Sequence, residues 1–388
     1  MKLITKTKIL ILIFVGIIFA FSPIINNWLK FNTGFDEKTS ENNDIINLDN
    51  KNLQISAVSG KIHIDNNWSA AKSVGICTGQ GTYSDPYVIK NLVINSKGLG
   101  NCIWIENSAV YFKIENCKLY NSGENYAGIE LSSVNNSQII HINCSSNDYG
   151  IRLMECNYNT ISGNIVNYNT KYGIYLSRSE NNTISGNIVN YNTKYGIYLI
   201  FSENNTISEN MVNYNTFYGI YLDVSYYNNI FGNTISNNKI GMKIIKTVYA
   251  YWIPGCHDNT ISGNNVYSNK EYGIIFYPGC PNNSVYLNCF GGNKVNAYDE
   301  GGNNYWDNGI KGNFWSNYTG LDEDGDGIGD IPYNINGYSG CKDNYPLMKC
   351  PISVQENPFK TLILITIISG GAVIGVAIIL LIIRKRIQ

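Results

Sequence analysis

An internal repeat constrains what this chain can fold into. Residues 159–176 read NTISGNIVNYNTKYGIYL, and the same letters return 23 positions later at 182–199. A degraded third copy runs from Asn205 to Leu222, and a fourth begins near Asn228. Self-similarity at a period of about 20–50 residues is typical of solenoids, propellers and repeat arrays. The chain is therefore predicted to stack near-equivalent units into one body.

The composition of each copy favours strands and turns over helix. Glycine, asparagine, tyrosine and β-branched residues dominate the repeat, and these residues suit short strands and tight corners. Leucine-rich repeats have a similar length, but their leucine framework is absent. The repeat predicts an all-β parallel β-helix, a solenoid of 23-residue coils with three short strands and three corners each. About nine such coils are expected.

Stacked coils place equivalent residues in columns, because neighbouring strands lie about 4.8 Å apart. One inner column is predicted at Ile161, Ile184, Ile207 and Ile230, and another at Val166, Val189 and Val212. Asparagine amides at a corner can bond to the backbone and to one another. Such a structural ladder is predicted at Asn164, Asn187, Asn210, Asn233 and Asn264.

Two segments that flank the repeats resemble those of a known family. The opening segment is GQGTYSDPYVIKNLVI at 79–94, and the closing one is GNFWSNYTGLDEDGDGIGDIPYNI followed by DNYPLM. With the repeats, they make residues 61–350 resemble the NosD-like right-handed parallel β-helix family, and in particular archaeal surface members with a closing DxDxDGxxD segment. The resemblance implies a right-handed β-helix of the carbohydrate-binding and sugar-hydrolase type.

The two ends predict an extracellular body held at a cell membrane. Three lysines precede the apolar run Ile9–Phe21, as in a secretion signal or signal anchor. The uncharged run 361–383 is long enough to cross a bilayer, and the basic residues that follow favour the cytoplasm. The predicted segments are 1–22 signal or anchor, 23–60 polar spacer, 61–300 β-helix, 301–350 cap, 351–360 stalk, 361–383 transmembrane helix and 384–388 cytoplasmic tail. The membrane is therefore an expected partner, with a single span, or two if the signal remains uncleaved.

The charge balance argues against nucleic acid as a partner. The net charge is −1, and only 15% of the residues are charged. Proteins that bind nucleic acid through its phosphates need clustered lysine and arginine. No long basic run is present, so no nucleic-acid partner is expected.

The segment DEDGDGIGD predicts a calcium site. Asp322, Asp324, Asp326 and Asp330 fill positions 1, 3, 5 and 9 of an EF-hand-type loop, and Ile328 offers its backbone carbonyl. Position 12 is Tyr333 in place of the usual glutamate. We therefore expect a structural Ca²⁺ of the dockerin or thrombospondin type-3 style. The alternative is a solvated acidic turn.

Ten cysteines in an extracellular chain suggest disulfides. Cys256 and Cys280 each follow Pro-Gly and precede an inner-column residue by five positions, so they are predicted to stack and to bond. Cys341 and Cys350 are a second candidate pair. Cys117, Cys144 and Cys289 are predicted to fill the core as small apolar residues.

Catalytic and copper-binding groups have less support in the sequence. Glu130 and Arg152 face outward in adjacent coils, where opposite charges usually form a plain cross-strand pair. No nucleophile–histidine set accompanies the three histidines. The copper-related role that the NosD resemblance implies needs grouped soft ligands, whereas the methionines are scattered at Met154, Met211, Met242 and Met348.

Three tyrosines predict a binding strip on one face of the helix. Tyr175, Tyr198 and Tyr221 alternate with inward residues and recur once per coil. Such a strip can stack on sugar rings or on a partner surface, or it can pack only on itself. We therefore expect a surface protein that binds glycans or cell-surface proteins, in adhesion or envelope structure, more than an enzyme. The alternatives are a polysaccharide lyase, hydrolase or epimerase and a NosD-like copper accessory protein.

Overall fold

The computed structural model describes residues 46–47, 60–247 and 255–352 of the 388 in the chain. Two compact units divide the chain, Met1–Asn43 and Asp44–Gln388, and every described element belongs to the second. The strands of that unit wind into a parallel β-solenoid.

Several predicted segments fall outside this description. Within the described ranges, no helix is both long enough and apolar enough to traverse a bilayer. The predicted segments that lie wholly or mostly outside the described residues are 1–22, 23–60, 351–360, 361–383 and 384–388.

The solenoid is right-handed and all-β, with about ten coils where the sequence predicted about nine. Eleven parallel strands form its long sheet. In sheet order they are Ile46–Asn47, Ile62–Asp65, Ile103–Ser108, Ala127–Val134, Tyr149–Met154, Tyr172–Ser177, Tyr195–Ile200, Tyr218–Asp223, Ile240–Ile245, Tyr272–Phe276 and Val295–Asp299.

Two further parallel sheets close each coil. The second sheet has nine strands: Tyr87–Lys90, Phe112–Glu115, Ser137–Ile140, Thr160–Ser162, Thr183–Ser185, Thr206–Ser208, Asn229–Phe231, Thr260–Ser262 and Ser284–Tyr286. The third has five: Met211–Asn213, Thr234–Ser236, Asn265–Tyr267, Cys289–Gly291 and Phe314–Trp315. Single bridges extend the third sheet back to the pair Val93–Asn95 and Lys118–Tyr120.

The predicted inner columns are confirmed. Ile161, Ile184 and Ile207 are register partners in successive coils, and each is fully buried. Val166, Val189 and Val212 are also fully buried. A one-residue slip would turn these side chains outward, so the buried columns fix the register of the repeat.

Asparagine ladders hold three corners of the coil, where the sequence predicted one. In each ladder, the side-chain Nδ2 and the backbone N–H of one asparagine donate to the Oδ1 of the next, as Asn164 does to Asn187 at 2.9 and 3.0 Å. Asn147 is the exception, because its Nδ2 donates to the Leu119 carbonyl and only its backbone N–H donates to Asn169. Buried amides are thereby satisfied without water. The members are Asn159, Asn182, Asn205, Asn228, Asn259, Asn283 and Asn304; Asn164, Asn187, Asn210, Asn233, Asn264, Asn288 and Asn313; and Asn147, Asn169, Asn192, Asn215, Asn238, Asn269 and Asn293.

Aromatic side chains cover both ends of the described core. At the first end, the helix Trp68–Ser73 buries Trp68, whose ring stacks on Tyr87 at 4.9 Å. At the other end Trp315 stacks on Phe290 and on Tyr333 at 4.8 and 4.3 Å. The pair Tyr333–Asn334 and Lys342–Asp343, an antiparallel hairpin, follows.

Buried aspartates end two of the asparagine ladders. Asn304 donates to Asp299 at 3.0 Å, and the backbone N–H of Asn313 donates to Asp343 at 2.7 Å. The indole of Trp315 also donates to Asp343, at 2.8 Å. A carboxylate accepts hydrogen bonds without needing to donate any, so it can terminate a column of donors.

The carboxyl of Asp343 should make stability depend on pH. Burial raises its pKa from 3.8 to about 6, although its hydrogen bonds act in the opposite direction. A carboxyl that binds its proton more tightly in the folded state stabilises the fold at low pH, and this contribution is lost as pH rises through about 4 to 6. We expect about 1 to 2 kcal/mol to be lost between pH 5 and pH 7. Urea unfolding of the wild type and of Asp343→Asn at pH 5 and pH 7 measures this loss. The variant should lack this part of the pH dependence of the free energy of unfolding. Equal pH dependence in both proteins would contradict this role.

The disulfide differs from both predicted pairs. Cys289 is bonded to Cys350, with 5.5 Å between their Cα atoms, and Cys341 is a free thiol. After the last coil the chain returns along the third sheet, where Leu347 pairs with Phe314 and Phe314 pairs with Cys289. This return places Cys350 beside Cys289. The pairing Cys341–Cys350 was therefore wrong, because nearness in sequence did not indicate nearness in space.

Cys256 and Cys280 are free thiols in this structure, so the second predicted disulfide is also absent. Their side chains are in contact, as the stacking predicted. Cys256 continues a corner column in which the preceding members are serines: the Ser225 N–H donates to its sulfur, and its thiol donates to the Ile245 carbonyl, both at 3.2 Å. The thiol thus replaces a serine hydroxyl in the column.

Candidate functional site

Tyrosine rings cover part of the outer face of the long sheet. We call this surface the tyrosine platform; it has an edge column and a central column. The edge column comprises Tyr149, Tyr172, Tyr195 and Tyr218, and the central column comprises Tyr175, Tyr198 and Tyr221. The register of the central column is as predicted, whereas the edge column was missed.

Three ring pairs stack within the columns, while Tyr149 meets Tyr172 edge to face and Tyr175 is tilted against Tyr198. Tyr172 and Tyr195 are 4.9 Å apart between ring centroids with 10° between their planes, and Tyr195 and Tyr218 are 4.7 Å apart with 14°. In the central column Tyr198 and Tyr221 stack at 4.6 Å and 16°. Stacking of this kind adds about 0.5–1.5 kcal/mol per pair beyond the area buried.

The two columns also pack against each other. Tyr195 meets Tyr198 edge to face at 5.4 Å and Tyr221 at 5.0 Å, and Tyr172 meets Tyr198 at 5.3 Å. The edge column therefore forms a wall along one side of the central column. This wall, together with Lys243, leaves Tyr221 only 6% exposed, so the central column is not the open flat strip that the sequence predicted.

A glycine after each edge tyrosine allows two outward rings only three residues apart. A Cβ at Gly196 would lie 2.4 Å from the Val212 side chain, so only glycine fits against the core there. The following Ile197 also faces the core, which breaks strict alternation and returns Tyr198 to the outer face. The tyrosine that opens each Tyr-Gly-Ile-Tyr motif was the sequence signal for the missed column.

Three of the platform tyrosines hold their protons more tightly than a free tyrosine. Burial, with help from neighbouring rings, raises the pKa of Tyr172, Tyr198 and Tyr221 far above the ordinary value of 10.0. These side chains therefore offer ring surface and hydroxyl hydrogen bonds in place of phenolate bases.

Paired charges lie at the start of the platform. Arg152 contacts Glu130 at 2.6 Å across adjacent strands and lies over the Tyr149 ring at 4.8 Å. Lys171 contacts Asp148 at 2.9 Å, and the pKa of Asp148 is lowered because hydrogen bonds from Thr170 and Lys171 outweigh its burial. The expected cross-strand pair Glu130–Arg152 is confirmed. Each of these acids already has a cationic partner.

The aspartate loop brings three of the predicted calcium ligands together. Carboxylate oxygens of Asp322, Asp324 and Asp326 lie within 4.8 Å of one another. Asp322 also accepts backbone N–H groups of the loop, including Gly327 at 3.0 Å. Asp330 is not in this group, because its carboxylate accepts the Glu323 N–H at 2.8 Å.

Backbone contacts attach this loop to the returning C-terminal segment. Ile328 pairs with Leu347, and the Met348 N–H donates to the Gly327 carbonyl at 3.0 Å. The Gly329 N–H donates to the Pro346 carbonyl at 2.8 Å. The loop therefore lies against the segment that carries Cys350.

The donors that suit copper are dispersed. His63 contacts Glu106 and His257 contacts Asp258, both at 2.7 Å, while His141 lies exposed at a corner. Within the described part of the chain, the aspartate loop alone gathers three or more His, Cys, Asp or Glu side chains that could hold a metal. Its oxygen donors suit calcium, whereas copper in proteins favours nitrogen and sulfur ligands. The described residues do not fit a copper site.

Solved structures with a similar fold include an epimerase module and a tailspike protein. The mannuronan C-5 epimerase AlgE4 A-module of Azotobacter vinelandii aligns with a TM-score of 0.49 and 16% identity, over 56% of this chain and 63% of that one. The Dettilon tailspike protein aligns with a TM-score of 0.44 and 17% identity, over 59% of this chain and 57% of that one.

Curated relatives match a short part of the chain. The probable ABC transporter binding protein NosD of Pseudomonas aeruginosa is 35% identical over 79 residues, and that of Stutzerimonas stutzeri is 37% identical over 79 residues. Each match spans 20% of this chain and 18% of the relative. The family model described as "Periplasmic copper-binding protein (NosD)" matches residues 84–249 and 243–320, more than half of the chain. The chain therefore belongs to the NosD family of parallel β-helix proteins.

Proposed function

We propose that this protein binds polysaccharide along the tyrosine platform, outside the cell. The observation that carries the proposal is the pair of tyrosine columns, which run across successive coils on one face. An oligosaccharide has repeated apolar ring faces and repeated hydroxyls, and the columns supply repeated aromatic rings and phenol groups in matching order. The platform is an extended surface, as solenoids commonly use for binding.

The proposed location is the outer side of a cell membrane. The family description places its members in the periplasm, and the apolar runs Ile9–Phe21 and 361–383 supply an export signal and an anchor. A tethered β-helix with a lateral sugar-binding face would serve adhesion or the organisation of the cell envelope.

The first test is a glycan panel probed with the purified full chain in detergent. We expect at least one polysaccharide to bind, and Tyr195→Ser to weaken the affinity about tenfold, equivalent to about 1.4 kcal/mol. Tyr195 is chosen because it contacts rings of both columns.

The repeat offers a matched control for this test. Tyr191 lies four residues earlier, exposed at a corner, and stacks on Tyr168 and Tyr214 away from the platform rings. Tyr191→Ser should leave the affinity within about twofold. Equal losses in both variants, or no binding to any glycan, would contradict the proposal. Release of new sugar ends during the same assay would favour the enzyme alternative.

We also propose that the aspartate loop holds a structural calcium ion. The spacing of Asp322, Asp324 and Asp326 and the measured closeness of their carboxylates support this role. No lysine or arginine occurs between Tyr318 and Tyr333 to offset their charge. In the proposal, the Ile328 carbonyl and Asp330 complete the ligand set after a small rearrangement of the loop.

Removal of calcium should therefore lower the stability of the protein. Binding to the folded state alone stabilises by about 2.7 kcal/mol at a hundredfold excess over Kd. A chelator should lower the Tm of the wild type, while the double variant Asp324→Ala, Asp326→Ala should melt at the same temperature with and without chelator. A wild-type melt unaffected by chelator, with no calcium uptake in calorimetry at millimolar ion, would contradict the proposal.

A further inference from the structure

Lys243 replaces a tyrosine at the far end of the central column. It is the register partner of Tyr221 in the next coil. Its ammonium group lies 4.6 Å from the Tyr218 ring centroid, 5.4 Å from that of Tyr221 and 4.9 Å from that of Tyr277. It also donates to the Tyr218 hydroxyl at 3.1 Å. Three aromatic rings thus surround one half-buried cation.

Lys243 lacks the carboxylate partner that Arg152 and Lys171 have at the other end of the platform. Arg152 is paired with Glu130 at 2.6 Å, and Lys171 with Asp148 at 2.9 Å. Lys194 is also without an ion pair in the described part of the chain, but its ammonium group lies over one ring, that of Tyr172, at 5.8 Å. Among the described residues, no carboxylate lies within salt-bridge distance of Lys243. Asp223, on the preceding strand, instead accepts from the Thr247 backbone and hydroxyl at 3.0 and 2.6 Å.

The environment of Lys243 favours the binding of a negatively charged ligand. Removal of an ammonium group from water is costly unless an anion or hydrogen-bond acceptors replace the water. Cation–π contacts with the ring faces recover part of that cost. An anion that entered beside the rings would interact with a charge that the surrounding protein has not neutralised.

We propose that the platform selects acidic polysaccharide and that Lys243 contacts a sugar carboxylate at the end of the central column. The inference rests on the proposed function, because the tyrosine columns position the chain of sugar rings. Lys243 then determines the charge of the sugar that is accepted. A neutral glycan of the same shape makes the ring contacts but cannot make the charged contact with Lys243.

The test compares two ligands that share one sugar backbone, one with free carboxylates and one with those groups masked as neutral methyl esters. Hexagalacturonate and its fully methyl-esterified form share one backbone, and calorimetry with the full chain measures both affinities. We expect the wild type to bind the acid at least tenfold more tightly than the ester, and Lys243→Met to reduce that preference below threefold. Lys243→Arg should retain the preference.

Lys239→Met is the matched control, because Lys239 already pairs with Glu271 at 3.5 Å. That variant should keep the wild-type preference. If Lys243→Met unfolds, as near-ultraviolet circular dichroism would show, Lys243→Gln takes its place as the uncharged variant. Retention of the wild-type preference in a folded uncharged variant would overturn the role of Lys243. Equal binding of acid and ester by the wild type, or loss of the preference in Lys239→Met as well, would overturn the role of Lys243 and leave the proposed function intact. Failure of the whole glycan panel is the separate result that removes the proposed function.

Discussion

Ile184→Asp is expected to abolish cooperative folding. Ile184 is fully buried between Ile161 and Ile207 in the inner column. The substitution removes an apolar side chain, at a cost of about 2–5 kcal/mol, and places a carboxylate where no partner is available. The free energy of unfolding of a domain is about 5–15 kcal/mol, so the loss from this single substitution is comparable to the whole of it. Circular dichroism during heating should show no sharp transition.

The neighbouring Ser185 provides the control for this prediction. It lies in the same short strand, half-exposed, with Ser162 and Ser208 as its register partners. Ser185→Asp adds the same charge to the outer face, and we expect a change within about 1 kcal/mol. A sharp wild-type melt for Ile184→Asp would show that the assigned register is incorrect.

Asn187→Asp should destabilise the protein nearly as much. The Asn187 amide donates to the Ile161 carbonyl and to the Asn210 side chain, both at 2.9 Å. Aspartate has no such donors, so the Ile161 carbonyl loses this bond and the Asn210 Oδ1 keeps only the backbone N–H of residue 187. Both oxygens then face a buried carboxylate. Each unsatisfied buried group costs about 1–3 kcal/mol. A loss of about 3–6 kcal/mol in the free energy of unfolding is expected from urea titration.

The same chemical change at an exposed asparagine separates the ladder from general effects of charge. Asn204 lies exposed at a corner with φ +54°, a conformation that aspartate also tolerates. Asn204→Asp should change the free energy of unfolding by less than about 1 kcal/mol. Similar losses at Asn187 and Asn204 would mean that the ladder hydrogen bonds contribute little.

The coil and its register could be predicted because the same sequence pattern recurs in several successive copies. Ile161, Ile184 and Ile207 share one letter and one spacing, so a single assignment placed the whole column. Two of the three asparagine ladders were missed, although their members recur with the same period. The asparagines of the repeat are so numerous that spacing alone did not show which amides point inward.

The platform was predicted in part, for a related reason. Alternation along a strand correctly placed Tyr175 and Tyr198 outward, but it could not show that the glycine of each motif lets Tyr172 and Tyr195 face outward as well. The burial of Tyr221 depends on packing between columns, which a single strand does not encode.

The C-terminal part of the solenoid was harder to predict than the repeats before it. The Cys289–Cys350 bond depends on the path of the chain after the last coil, where no repeat remains to define neighbours. The aspartate loop is the exception in this region, because its own spacing brings Asp322, Asp324 and Asp326 together. Short-range geometry was predictable there, whereas the long-range return was not.

Hydroxyl-radical footprinting with and without the best-binding oligosaccharide of the panel tests the central claim most directly. Trypsin cleavage at Lys171, Arg178 and Lys194 separates the platform residues Tyr172 and Tyr175 from Tyr191, so one digest reports both surfaces. We predict that the sugar protects the peptide 172–178 from oxidation and leaves the peptide 179–194 unchanged. Protection of 179–194 with none at 172–178 would place the sugar on another face and contradict the account.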